Sequence, residues 1–118
     1  MKKSLRVPDY LGHIVQAIDR IERYTADIDE AGFLASELVQ DAVIRNIEIV
    51  GEAANNIQRE APAFAVAHAS VPWQVMYAMR NRVSHGYHAV DLQVVWTTVR
   101  DDLPALRDQI LVLAGSLD

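Results

Sequence analysis

Apolar residues recur at three- and four-residue steps along most of the chain, with charged residues between them. In the first such stretch Leu11, Ile14, Val15, Ile18, Ile21 and Tyr24 form one stripe. It predicts a helix from about Pro8 or Asp9 to Ala26, with Asp9 as N-cap. Asp27 to Phe33 reads as a turn punctuated by Gly32. A long second helix is expected from Ser36, a good N-cap, to Glu60, where Pro62 stops it. At about 25 residues it would be roughly 37 Å long. Val39, Val43, Ile44, Ile47, Val50, Gly51, Ala54 and Ile57 fall on one side of it; Asp41, Arg45, Glu48, Glu52, Asn55, Asn56 and Arg59 fall on the other. Ala61 to Ser70 reads as a loop. Ser70 then caps a third helix over about Val71 to Val83, with Pro72 just inside its start and Trp73, Val75, Met76, Met79 and Val83 able to face the core. A fourth helix begins at Asp91 and carries Leu92, Val95, Trp96, Val99, Leu103, Leu106, Ile110 and Leu113. Pro104 is expected to kink it, or to restart it with Asp101 or Asp102 as a new cap. No period-two alternation, internal repeat or low-complexity stretch interrupts this pattern. It predicts an all-α, up-and-down bundle of four to five helices, with a long second and a kinked last helix, forming one domain over residues 1–118.

Two features of the second helix stand out. Gly51 sits mid-helix, where it costs about 1 kcal/mol against Ala, which suggests that another backbone comes close. Glu48 and Glu52 lie four apart on one face, a like-charge pair that mildly destabilises an exposed helix. A nearby arginine would remove that penalty: Arg45 locally, or Arg80 across the fold.

Composition narrows the class. A chain of 118 residues with 51% hydrophobic content suits a globular protein with a modest core. With no cysteine, disulfides and thiolate zinc sites are excluded. No apolar run reaches the ~18 residues of a membrane span, and the first residues lack a signal-peptide core, so a cytoplasmic protein without membrane contact is expected. The net charge of −5 argues against a nonspecific nucleic-acid binder. Its distribution argues otherwise. Residues 61–90 contain no Asp or Glu but carry His68, Arg80, Arg82, His85 and His88, so all 16 acids lie elsewhere. The run marks either a locally positive surface or merely an uncharged loop of small residues.

The densest chemistry is at Met79-Arg80-Asn81-Arg82-Val83-Ser84-His85-Gly86-Tyr87-His88, where a helix should stop before Gly86. If the helix frays near Ser84, Arg80, His85 and Tyr87 can converge. An always-charged fork, a group titrating near neutrality and a phenol can together bind and process a phosphodiester. In RNA cleavage without metal, the ribose 2′-hydroxyl attacks phosphorus, a base takes its proton, and a cation holds the developing charge. His85 suits the acid or base role, and Arg80 suits bidentate phosphate binding. Tyr87 can orient the phosphate or help protonate the leaving oxygen, and Asn81 can position His85 or the ribose. The plainer reading of the same residues is a helix C-terminus whose cations offset the helix dipole. Metal binding fares worse, since Glu48 and Glu52 are too few as ligands. There is no phosphate-cradling glycine loop, and Ser84 beside His85 is not a nucleophile elbow.

The string Arg80-Asn81-Arg82-Val83-Ser84-His85-Gly86-Tyr87 resembles the Arg-x4-His-x-Tyr motif of the HepT family, within the wider HEPN group of all-α ribonucleases. Asp41 to Ala53 is similar to that family's long second helix; Val95-Trp96 and Asp102-Leu103-Pro104 resemble its last helix. The resemblance covers nearly the whole chain in order. It implies the toxin of a type VII-like toxin–antitoxin pair: a metal-independent endoribonuclease, needing no cofactor, that dimerises so that two motifs line one cleft. Its implied partner is an MNT-type nucleotidyltransferase antitoxin that transfers AMP from ATP to the motif tyrosine. Carried over by position, Arg80 and His85 form the catalytic pair and Tyr87 is the adenylylated residue. Asn81 and Arg82 support RNA binding, and Glu48 and Glu52 are weaker candidates for holding the arginine. The alternative is a non-catalytic helical protein whose cleft binds a nucleotide, or which serves as the substrate-binding subunit of a nucleotidyltransferase.

Overall fold

In a computed structural model, residues 6–84 and 90–117 are described, with side chains for 6–81 and 90–117. The described residues are all-α, without strands, and form the expected up-and-down helical bundle. Helix α1 (Val7–Thr25) leads to a short α2 (Glu30–Ala35), then the long α3 (Glu37–Glu60). A short α4 (Pro62–Ala67) and α5 (Trp73–Ser84) follow. Helix α6 (Leu92–Thr97) continues through a π-helical turn (Thr98–Asp102) into α7 (Leu103–Gly115). No helix among the described residues is long and apolar enough to cross a membrane.

Helix α3 is central: α1, α2, α4 and α5 all pack on it, and α1 also packs on α7. The reason lies in its apolar stripe. Val43, Ile47, Val50, Gly51, Ala54 and Ile57 are buried together with Leu11, Ile14, Ile18 and Ile21 of α1. Each valine, leucine or isoleucine among them contributes about 1.5–3 kcal/mol when removed from water. Leu103, Leu106, Ile110 and Leu113 extend the same core from α7. Asn46, unanticipated as a core residue, is buried because both ends of its amide are used. Its Nδ2 donates to the Ala42 carbonyl at 2.8 Å, and its Oδ1 accepts from Arg20 of α1 at 3.2 Å.

Several boundaries differ from expectation. Asp9 is not the N-cap of α1; it stands at the third helical position and accepts from the Arg6 amide at 2.9 Å, the return half of a capping box. Ser36 does cap α3, accepting from the Val39 amide. The expected turn over 27–33 instead contains the start of α2, capped by Asp29, which accepts from the Gly32 amide. That helix buries Phe33, whose ring lies 5.3 Å from that of Trp96. The expected loop over 61–70 contains α4: Pro62 ends α3 by beginning a new helix. Helix α5 begins after Pro72 rather than around it, and Ser70 offers its carbonyl to Gln109. Val75 is 63% exposed and Tyr24 is 38% exposed, so neither belongs to the core as their spacing suggested. Asp102 stands at the N-cap position of α7, as expected, but its side chain makes no capping hydrogen bond. Pro104 lacks the amide hydrogen that the ladder needs, and the chain absorbs this by widening, with the Leu103 amide donating to the Thr98 carbonyl.

Candidate functional site

An open cleft of about 350 Å³ lies where α1, α3 and α5 meet. Its floor and one wall come from α3, whose polar side supplies Arg45, Glu48, Glu52 and Asn56 around the apolar Ile49 and Ala53. Helix α1 adds Tyr10 and His13, one turn apart at the edge of its apolar stripe. Helix α5 adds Arg80.

Gly51 places Arg80. A Cβ on Gly51 would lie 2.8 Å from Arg80 Cβ and 3.0 Å from the Met76 carbonyl oxygen. Only the missing side chain lets α5 approach this closely, as its mid-helix position suggested. The close approach roots Arg80 one residue from Glu52. Arg80 Nε stands 3.5 Å from Glu52 Oε2, with the two side chains 37% and 54% exposed. A pair so exposed contributes under about 1 kcal/mol of stability, so its effect is on where the fork stands. Of the two expected ways to relieve the Glu48–Glu52 repulsion, Arg80 across the fold is the one formed at Glu52. The acid-free run in sequence is therefore not an acid-free surface in space.

The rest of the cleft is tied down at the far end of α3. Tyr10 is 5% exposed, and its hydroxyl donates to both oxygens of Glu60, at 3.0 and 2.9 Å. Burial, and then the hydrogen bond to Glu60, push this phenol above its ordinary value of 10.0. The His13 ring stands edge-on to Tyr10, with centroids 6.2 Å apart. Asn56 Oδ1 accepts from Arg59 at 3.0 Å.

Of the residues expected to carry chemistry, Arg80, Glu48 and Glu52 meet in this cleft. Asn81 is exposed near the end of α5 and does not line it. Arg82 lies within α5, but its side chain, and all of His85, Tyr87 and His88, lie outside the described residues. Tyr10, His13 and Asn56 were not singled out by their spacing. The one signal was that Tyr10 and His13 are polar-tipped rings three apart beside an apolar stripe. Among the described residues no three His, Asp or Glu side chains gather as metal ligands.

The comparisons with known proteins agree with one another. The family model described as ribonuclease HepT-like matches residues 14–113. A Thermococcus cleftensis protein with the name "Probable ribonuclease HepT" is 42% identical over 107 residues, covering 91% of this chain and 93% of that protein. A Methanocaldococcus jannaschii protein whose name joins a gamma-glutamylcyclotransferase with an RNase is 40% identical over 118 residues, all of this chain. The chain spans only 51% of that relative's length. A Caldanaerobacter subterraneus protein with an RNase name is 31% identical over 101 residues, or 86% of this chain and 88% of that one. No solved structure matches. The match over residues 14–113 and the near full-length likeness to the Thermococcus protein make this chain a member of the ribonuclease HepT-like family.

Proposed function

We propose that the chain is the toxin of a toxin–antitoxin pair and cleaves RNA without a metal ion, with Arg80 and His85 as its catalytic pair. The observation that carries this reading is the placement of Arg80. A glycine on the neighbouring helix is spared a side chain so that this arginine can stand at a cleft wall, oriented by Glu52. A structural arginine at a helix end needs no such arrangement. In the reaction the ribose 2′-oxygen attacks the adjacent phosphorus. His85 moves the proton, and the Arg80 fork holds the charge that grows on the phosphoryl oxygens. The 5′-oxygen leaves with a proton, and a cyclic phosphate remains. Asn81 and Arg82, next along α5, hold the flanking backbone.

The same reading makes Tyr87 the switch. A nucleotidyltransferase partner of MNT type would join the Tyr87 phenol oxygen to the α-phosphorus of ATP and release pyrophosphate. The adenylate places a negative charge and a bulky base near Arg80, where they compete with RNA phosphate. Two copies of the chain would set their clefts side by side as a homodimer.

The test is RNA cleavage by purified protein in EDTA, with wild type beside Arg80→Ala and His85→Ala. Cleavage lost in both variants is the expected result. Cleavage that persists in either would remove that residue from the reaction. Intact mass, read on the same wild-type sample, reports whether the chain already carries AMP, and Tyr87→Phe should accept none from the partner.

A further inference from the structure

Tyr10, His13 and Asn56 lie outside the Arg80-to-Tyr87 motif, yet they share the cleft with Arg80. We propose that they form a nucleobase subsite, which holds the base next to the phosphate bound at Arg80. This deepens the ribonuclease reading and rests on it for the identity of the ligand.

The cleft has the make-up of a nucleotide site. Its volume of about 350 Å³ is within the range of small-ligand pockets. The apolar surface of Ile49 and Ala53 can take the face of a flat, weakly polar ring. His13 is half-buried, and its ring meets the edge of Tyr10, 6.2 Å away between centroids. Tyr10 is locked by Glu60 and so steadies His13. The histidine ring is thus steadied where it lines the cleft. Single-stranded RNA is recognised by such stacking on side-chain rings, and by hydrogen bonds to base edges. Asn56 supplies the second element. Its oxygen is occupied by Arg59, while its Nδ2 has no acceptor among the described residues and is available to a base carbonyl or ring nitrogen. The cation for the phosphate is on a different wall, so base and phosphate are sorted by chemistry within one cleft.

Stacking tolerates any base, whereas an amide reads an edge. The two side chains therefore do separable jobs. His13→Ala should lower kcat/KM about tenfold whatever base is offered. Asn56→Ala should flatten the preference among bases, by lowering kcat/KM for the preferred base toward that for the others. His13→Phe, which keeps a ring, should recover the rate that His13→Ala loses.

Binding supplies a readout that needs no cleavage. The four nucleoside 3′-monophosphates are titrated into the full chain while the carbon-bound ring protons of His13 are followed by NMR, with ribose 5-phosphate as the baseless control. Shifts of the His13 resonances by the nucleotides and not by the control are expected. Equal response to nucleotide and control, or unchanged cleavage and binding in His13→Ala, would overturn the subsite. The two readings also fail separately. Nucleotide binding at His13 by AMP-free protein that cuts no RNA would end the ribonuclease reading alone, while cleavage with His13 undisturbed would end the subsite alone.

Discussion

Arg80 is the residue on which the proposed reaction turns, and the reason is its shape as much as its charge. Lysine in its place keeps the charge but loses the planar fork that matches a phosphate with two parallel hydrogen bonds. Arg80→Lys should therefore reduce RNA cleavage by roughly 10–100-fold, in line with 1–3 kcal/mol for a charge-assisted pair, while the melting temperature stays within a few degrees. Chemical denaturation beside a cleavage assay separates the two effects; a large loss of stability would mark Arg80 as a strut. Tyr10 makes a different prediction at the same scale. Its folded-state pKa is raised, so its contribution to stability is present in full below the unfolded value near 10. That contribution falls as pH rises from there through the folded value, because the unfolded phenol ionises first. Wild type should thus lose stability over this alkaline range more steeply than Tyr10→Phe, as thermal melts at a series of pH values would show. Parallel slopes in the two proteins would mean that Tyr10 gains nothing from its burial beside Glu60.

At the scale of elements, the α3–α5 contact sets the site, and Gly51 is its weak point. In an isolated helix Gly→Ala would stabilise by about 1 kcal/mol. Here the added methyl meets Arg80 Cβ at 2.8 Å and a backbone carbonyl at 3.0 Å, neither of which is the far end of a flexible side chain. Overpacking of this kind costs about 1–3 kcal/mol, which matches or exceeds the helix gain. Gly51→Ala should lower stability by up to about 2 kcal/mol in urea and lower cleavage further than that loss explains, since α5 must shift and carry Arg80 with it. A stabilised, fully active variant would show that the helices have room to spare. This same contact was partly legible in the sequence, because a glycine amid good helix formers weakens its helix and is kept where a second backbone must come close. So were the long helices, whose apolar stripes persist over many turns. Helices α2 and α4, at six residues each, are shorter than two turns and display no period. Val75 and Tyr24 satisfied the spacing yet face solvent, because spacing defines a stripe and only the neighbouring helices define where the stripe ends. The cleft itself was illegible for that reason. Tyr10 and Asn56 stand far apart in the chain, and what joins them is the packing of α1 on α3.

At the scale of the molecule, an acidic protein has to bind a polyanion. The net charge of −5 repels RNA at long range, and the described cations of the cleft, Arg45 and Arg80, stand among Glu48 and Glu52. Binding must then depend on a few close phosphate contacts rather than on a broad positive field. Counterion release turns this into a number. With two phosphates neutralised per chain, the slope of log affinity against log salt for a single strand should be about −1.4. If two clefts act together across a dimer, it should be about double that. The measurement uses an uncleavable 2′-O-methyl oligonucleotide over a range of salt, with sedimentation reporting the mass of the bound species. A shallow slope with a monomer, or a doubled slope with a dimer, is what the cleft predicts. A slope several times steeper than either would require a track of phosphate contacts that Arg45 and Arg80 do not provide. The RNA would then be held mainly by another face, and the cleft would supply only the cutting.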